Sequence, residues 1–270
     1  MNANLTFDTR FENSTPTILK LGGSLLNVAD LAERLVRVVD AHQISRPLIL
    51  VGGGCAADLV RQWDKVFHLH DSVAHDLAIQ AMSLNSKLFA ELHARFELAD
   101  CLKFASVEAQ SSVGERPGGG VGSRENSYER AGRAGGHVFS AGRVVSSRIT
   151  IIEPVALLQQ LEQTVSESDR LVRSWRVTSD SIAAWLAMRL GAQRLVLLKS
   201  RPLPESYQQS QVHDGDPSLE VRHTMLERLS KSEVVDAAFS NYASNLPHLS
   251  WCNLRDSGDK TSASELVDVW

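Results

Sequence analysis

The chain has 270 residues, a formal net charge of −4 and three cysteines, Cys55, Cys101 and Cys252, at no metal-ligand spacing. The slightly acidic balance leaves no basic footprint for nucleic acid or for an anionic membrane surface, and no apolar run approaches the roughly 20 residues of a membrane span. The odd cysteine count suits a reducing cytosol better than a disulfide framework, so a cytoplasmic globular protein is expected.

Residues 1–16 are polar, lack an apolar signal-like core and read as a loose N-terminal tail. Thr17–Leu26 then reads as a short apolar strand, a glycine turn at Gly22-Gly23 and a helix start at Ser24. Lys20 sits inside that strand. A buried ammonium needs an anion, glycine lets backbone amides approach a ligand, and a helix N-terminus adds unpaired N–H groups. The stretch is therefore either a phosphate cradle or a plain strand-to-helix turn with a snorkelling lysine.

Leu31, Leu35, Val38 and Val39 recur at helical spacing over 30–42, and Pro47 closes that element. Leu48-Ile49-Leu50-Val51 is a continuous apolar run of the kind a buried parallel strand shows. It ends in Gly52-Gly53-Gly54, and a helical pattern resumes from Ala56 to Trp63. The repeated strand–glycine–helix order predicts an α/β fold with a parallel sheet. It also puts both glycine turns at the carboxyl ends of strands, where such sheets bind ligands.

Residues 72–96 carry the longest helical pattern, with Asp71 or Ser72 as its cap, and Cys101 to Val107 reads as a further strand. Residues 108–142 alternate Gly with Arg, Glu and Ser and hold few apolar residues. They are either a mobile surface insertion or a lid that carries Arg124, Arg130 or Arg133 to a phosphate. Ile149–Ile152 is strand-like, and Pro154 suits the first turn of a helix through Leu161. Thr178, Ser179 and Asp180 crowd a helix start, and Gly191 ends that helix. Leu195–Lys199 is a buried strand, 200–218 a loop, Val234–Tyr242 a helix and Leu249–Leu254 a last strand. No internal repeat appears and no linker divides the chain, so a single domain over 1–270 is expected.

These ingredients suit phosphoryl transfer, which asks a protein for positioning and charge neutralisation. Lys20 and Lys199 could bracket a phosphoryl group, and Asp180 could hold both lysines in place. The P-loop, dinucleotide and protein-kinase motifs are all absent.

Lys-Leu-Gly-Gly-Ser at 20–24, Val-Gly-Gly-Gly at 51–54 and Thr-Ser-Asp-Ser-Ile-Ala at 178–183, in that order, resemble the amino acid kinase superfamily. The resemblance covers roughly 17–200. It implies a three-layer αβα sandwich around a mainly parallel sheet, dimeric or higher, using ATP with Mg²⁺ and a small anionic acceptor. It implies that Lys20 binds the transferring phosphoryl group, that Gly22, Gly23, Ser24, Thr178 and Ser179 hold the nucleotide, and that Asp180 organises the lysines. Gly52, Gly53 and Gly54 would approach the acceptor. The metal would be held chiefly by the nucleotide, with no protein ligand set.

Asp71-Ser72-Val73-Ala74-His75, Ala81-Met82 and the Trp175-x-Val-Thr-Ser-Asp stretch are most similar to the methanofuran-biosynthesis branch. Its kinases act on an aminomethyl-furanmethyl phosphate in one-carbon cofactor metabolism. Asp71 and His75 become acceptor-pocket candidates by that resemblance; the plain alternative for His75 is a satisfied helix histidine. One departure stands out. Where many members carry a Thr-Asp-Val-Asp-Gly-like turn, this chain reads Lys199-Ser200-Arg201-Pro202-Leu203-Pro204. That leaves Lys199 open between a phosphate ligand and a surface lysine. It also motivates a competing function, a non-catalytic nucleotide- or anion-binding protein on the same scaffold.

Overall fold

The structure, a computed structural model, describes residues 5–7, 15–99, 104–106, 148–208, 217–255 and 264–270. Strands β1 (Leu5–Phe7) and β5 (Phe104–Ser106) pair antiparallel as a separate ribbon. Among the described residues the main sheet has seven strands: β2 (Thr17–Leu21), β3 (Pro47–Val51), β4 (Phe96–Ala99), β6 (Ile149–Ile152), β7 (Arg194–Lys199), β8 (His248–Asn253) and β9 (Val267–Asp268). Their order is β4-β6-β3-β2-β7-β8-β9, parallel throughout except for β9 against β8. The helices are α1 (Leu31–Ala41), α2 (Gly54–Phe67), α3 (Asp71–Ala90), α4 (Pro154–Glu162), α5 (Ser179–Arg189), α6 (Glu205–Gln208), α7 (Leu219–Lys231) and α8 (Phe239–Ala243).

Alternation along the central strands builds two cores. Ile18, Leu48, Leu50, Leu195, Leu197 and Trp251 face one side, where Leu157, Trp185, Leu226 and Phe239 of α4, α5, α7 and α8 cover them. Leu19, Leu21, Ile49, Val51, Val196 and Leu198 face the other, under Leu31, Leu35 and Val38 of α1. Continuous apolar strands are what a sheet covered on both faces requires, so the α/β three-layer expectation holds. The same alternation turns Lys20, two residues after Ile18, and Lys199, two after Leu197, toward the α5 side.

Several boundaries differ from the sequence reading. The tail at 1–16 contains β1. The helix read over 72–96 stops at Ala90; Phe96 opens β4 instead and stacks on Phe89 with ring centroids 5.0 Å apart, so its helical spacing is coincidental. The cap of α3 is neither Asp71 nor Ser72 but His70, whose Nδ1 accepts from the Ser72 amide. No long helix follows the first glycine turn: Gly23–Leu25 is a single 3-10 turn. The loop at 200–218 contains α6, and the helix read over Val234–Tyr242 is α8 alone. The larger α7 precedes it and ends where Glu233 turns left-handed at φ 55°. The insertion at 108–142, with Arg124, Arg130 and Arg133, lies outside the described residues, as does Cys101.

Candidate active site

Among the described residues, every functional candidate except Asp71 gathers at or beside the carboxyl edge of the parallel sheet. There β2 runs into Gly22, β3 into Gly52, and β7 ends at Lys199. The two glycine turns cross in contact. A Cβ on Gly23 would lie 2.2 Å from the Gly54 amide nitrogen, and one on Gly52 would lie 2.8 Å from the Gly23 nitrogen. No side chain fits between two backbones at that separation, and Gly54 also holds a left-handed φ of 49°. The crossing fixes β2 and β3 edge to edge and leaves its surface as bare backbone. Asn85 of α3 anchors it, donating through Nδ2 to the Gly52 and Gly53 carbonyls at 2.8 Å each.

Beside the crossing, Asp180 at the start of α5 receives two lysines. Lys20 Nζ lies 2.9 Å from Asp180 Oδ1, and Lys199 Nζ lies 2.8 Å from Oδ2. All three side chains are at least 88% buried, Lys199 being the most open at 12% exposure. Burial alone would raise the Asp180 carboxyl, but Lys199 and Lys20 outweigh it and hold it at about 2. Burial pulls Lys199 down to about 8, with Lys20 adding to the pull and Asp180 opposing it. Lys199 also donates to the Val234 carbonyl at 2.7 Å and lies 5.5 Å from the centre of the Trp251 ring. Two ammoniums share the one carboxylate between them, with Asp236 as the next carboxylate toward Lys199, so the three-residue group itself carries one positive charge in excess, which suits an anionic ligand. Lys199 is therefore no surface lysine.

Thr178 is placed differently from expectation. Its amide and hydroxyl both donate to Asp236 Oδ2, at 3.1 and 2.9 Å, and the Ser181 amide joins them at 2.9 Å. The Thr178 donors are thus turned into the protein. Ser179 lies against the crossing, its Oγ 3.1 Å from where a Gly52 Cβ would be. Ser24 Oγ is hydrogen-bonded to Ser200 Oγ at 3.0 Å, which joins the first glycine turn to the altered turn after β7.

A cavity opens next to Ser179, lined by Gly53, Ala57, His75, Met82, Trp175 and Ile182 among others. His75 is 2% exposed. Its Nδ1 lies 3.2 Å from the Ser174 carbonyl, which can only accept, so Nδ1 carries the proton. Burial pulls the imidazole below its usual range, so the ring is neutral and Nε2 is left as a lone-pair acceptor. Nε2 has no hydrogen-bond partner, so His75 is not a satisfied helix histidine. Trp175 donates to Asp64 at 2.8 Å and carries the Arg61 guanidinium 5.3 Å over its ring. Asp71 opens α3 at an exposed position and does not line the cavity.

Asn85 and Asp236 are residues of this candidate site that local patterns do not reveal, because the groups they hold lie far away in the chain. Among the described residues, no group of three or more His, Cys, Asp or Glu side chains clusters as a metal site. No helix among them is long and apolar enough to cross a membrane.

A family model for the amino acid kinase family matches residues 15–247. The [5-(aminomethyl)furan-3-yl]methyl phosphate kinase of Methanocaldococcus jannaschii is 33% identical over 75 residues, which span 28% of this chain and 35% of that relative. Among solved structures, UMP kinase from Ureaplasma parvum aligns at 13% identity with a TM-score of 0.48, over 95% of this chain and 100% of that one. Aspartate kinase from Synechocystis aligns at 12% identity with a TM-score of 0.48, over 94% of this chain and 40% of that one.

Proposed function

The chain belongs to the amino acid kinase family, a family of phosphotransferases, and we propose that it transfers the γ-phosphoryl group of ATP to a small anionic acceptor. The observation that carries this reading is the buried Lys20–Asp180–Lys199 triad beside the glycine crossing. The crossing and the net positive charge fit the phosphates of a nucleotide. Gly22, Gly23, Ser24 and Ser179 would hold them, and Mg²⁺ would be carried by the nucleotide itself. ATP bound there supplies the phosphoryl group.

The chain's own residues then act by charge and position. Lys20 and Lys199 neutralise negative charge as it spreads over the transferring oxygens, and Asp180 fixes both ammoniums. Asp180 is no general base: it is held near 2 and is occupied on both oxygens. An acceptor whose nucleophile is already an anionic phosphate oxygen needs no such base, which favours a phosphomonoester over an alcohol.

A furanmethyl phosphate, the substrate class named for the Methanocaldococcus relative, is the acceptor we propose, in one-carbon cofactor synthesis in the cytoplasm. Its flat apolar body suits the cavity lined by Met82, Ile182 and Trp175. His75 Nε2 would accept from its amine, and Gly52 to Gly54 would meet its phosphate end. We further propose a single domain assembled as a homodimer or higher homo-oligomer. An assay of ADP release with and without [5-(aminomethyl)furan-3-yl]methyl phosphate tests the reading. Acceptor-dependent ADP formation is expected. Nucleotide binding with no release, whatever phosphomonoester is supplied, would favour the non-catalytic binder instead.

A further inference from the structure

Asp236 lies in the segment between α7 and α8, 55–58 residues from the turn it holds. Its carboxylate collects five donors. Oδ2 takes the Thr178 amide, the Thr178 hydroxyl and the Ser181 amide; Oδ1 takes the Ser181 hydroxyl and, at 3.1 Å, the Ala238 amide. Four of the five come from the first turn of α5, on both sides of Asp180. The Asp236 carbonyl in turn accepts from Ser230 Oγ at 2.9 Å. Two residues earlier, the Val234 carbonyl accepts from Lys199.

One short segment therefore holds Lys199 directly and Asp180 through the residues on either side of it. A helix start is ordinarily capped from within, by the N-cap side chain. Here Thr178 holds the N-cap place but makes no such bond and donates outward. A local cap would stabilise α5 alone. A remote cap ties the position of Asp180 to the segment that also holds Lys199.

We propose that Asp236 is the positioning residue of the site: through Thr178 and Ser181 it sets where the Asp180 carboxylate meets Lys20 and Lys199. The kinase reading enters only in that this triad handles the phosphoryl group. The charged groups facing Lys199 are Asp180 from α5, Lys20 from β2 and Asp236 itself. The effect of Asp236 can therefore be read on Lys199 without any substrate.

The test compares wild type with Asp236→Asn, Asp236→Glu and Ser181→Ala. Lysine side-chain NMR gives the Lys199 titration midpoint, steady-state assays with Mg-ATP and the furanmethyl phosphate give kcat and KM, and melting gives the folded fraction. In Asp236→Asn an amide group replaces one oxygen and faces N–H and O–H donors. The Lys199 midpoint should fall below about 8 and kcat should drop about 10–100-fold, with acceptor KM changed less than about threefold. Asp236→Glu should recover part of kcat, and Ser181→Ala should shift both readouts the same way by less. A lowered melting point with wild-type midpoint and kcat in the folded protein overturns the proposal and leaves Asp236 a structural cap. If Asp236→Asn does not fold, Ser181→Ala, which removes only a hydroxyl, decides by the same readouts. A shifted midpoint in a protein that phosphorylates no acceptor sinks the kinase reading alone; turnover with unmoved midpoint and kcat sinks the positioning role alone.

Discussion

In the proposed reaction Asp180 is the central residue, because it answers two buried ammoniums at once. Removing it leaves both lysines uncompensated. Asp180→Asn should destabilise the fold by about 3–5 kcal/mol, read by urea unfolding near neutral pH. The sign of its pH dependence follows from a carboxyl held at about 2, below its ordinary 3.8. Its stabilisation is complete above the ordinary value and is lost as pH falls through about 2. The gap between wild type and Asp180→Asn should therefore narrow over that window and stay constant above it. Lys199 sets the opposite edge. Its ammonium, at about 8, loses charge as pH rises, so kcat should fall above pH 8. Lys199→Arg keeps its charge throughout this range; a pH profile of that variant should lack the alkaline limb, even at a lower rate. Lys20 and Lys199 were legible in the sequence because a charge inside or closing an apolar run demands a reason, and Asp180 because it stands with Thr178 and Ser179 at a helix start. Asp236 was not. The site residues it holds, Thr178 and Ser181, lie 55 or more residues away in the chain, and nothing local to Val234-Val235-Asp236 announces them.

At the scale of elements, the site depends on two strand-ending turns pressed together. Gly23→Ala would drive a Cβ into the Gly54 backbone at 2.2 Å, where nothing flexible can yield. The turns must separate, so we expect a loss of about 1–3 kcal/mol in melting experiments and weakened binding of a non-hydrolysable ATP analogue by calorimetry. Unchanged affinity in a folded Gly23→Ala protein would remove the glycine crossing from the phosphate site. Strands β2, β3 and β7 were readable because each is a largely apolar run, and β2 and β3 also carry their own glycine punctuation. The elements that escaped reading depend on tertiary context. Helix α7 buries only Arg222, Leu226 and Leu229, too few for a strong stripe, and it stops at a left-handed glutamate where a glycine would have signalled the end. Strand β9 has two residues and exists by pairing with β8.

For the whole molecule, α2 and α3 pack on each other and carry exposed apolar side chains: Leu59, Trp63, Val66 and Phe67 on α2, Leu84 and Leu88 on α3. A grouping of this kind marks an interface more often than chance exposure does, and it supports the proposed self-association. Sedimentation should show a dimer or larger species, and Leu84→Glu with Leu88→Glu should shift it toward monomer. A wild-type monomer at tens of micromolar would count against it. The α/β class was legible at this scale because parallel sheets covered on both faces leave a strong mark on composition. The cavity proposed for the acceptor was not, because it is assembled from α2, α3 and the 175–182 stretch, which meet only in the fold. The most direct measurement is phosphorus NMR of Mg-ATP and [5-(aminomethyl)furan-3-yl]methyl phosphate mixed with wild type or with folded Lys20→Ala. The account predicts ADP and a new diphosphate with wild type, formed about 10²–10³ times more slowly by the variant. Equal rates from both proteins, or bound nucleotide with no new diphosphate, would contradict it.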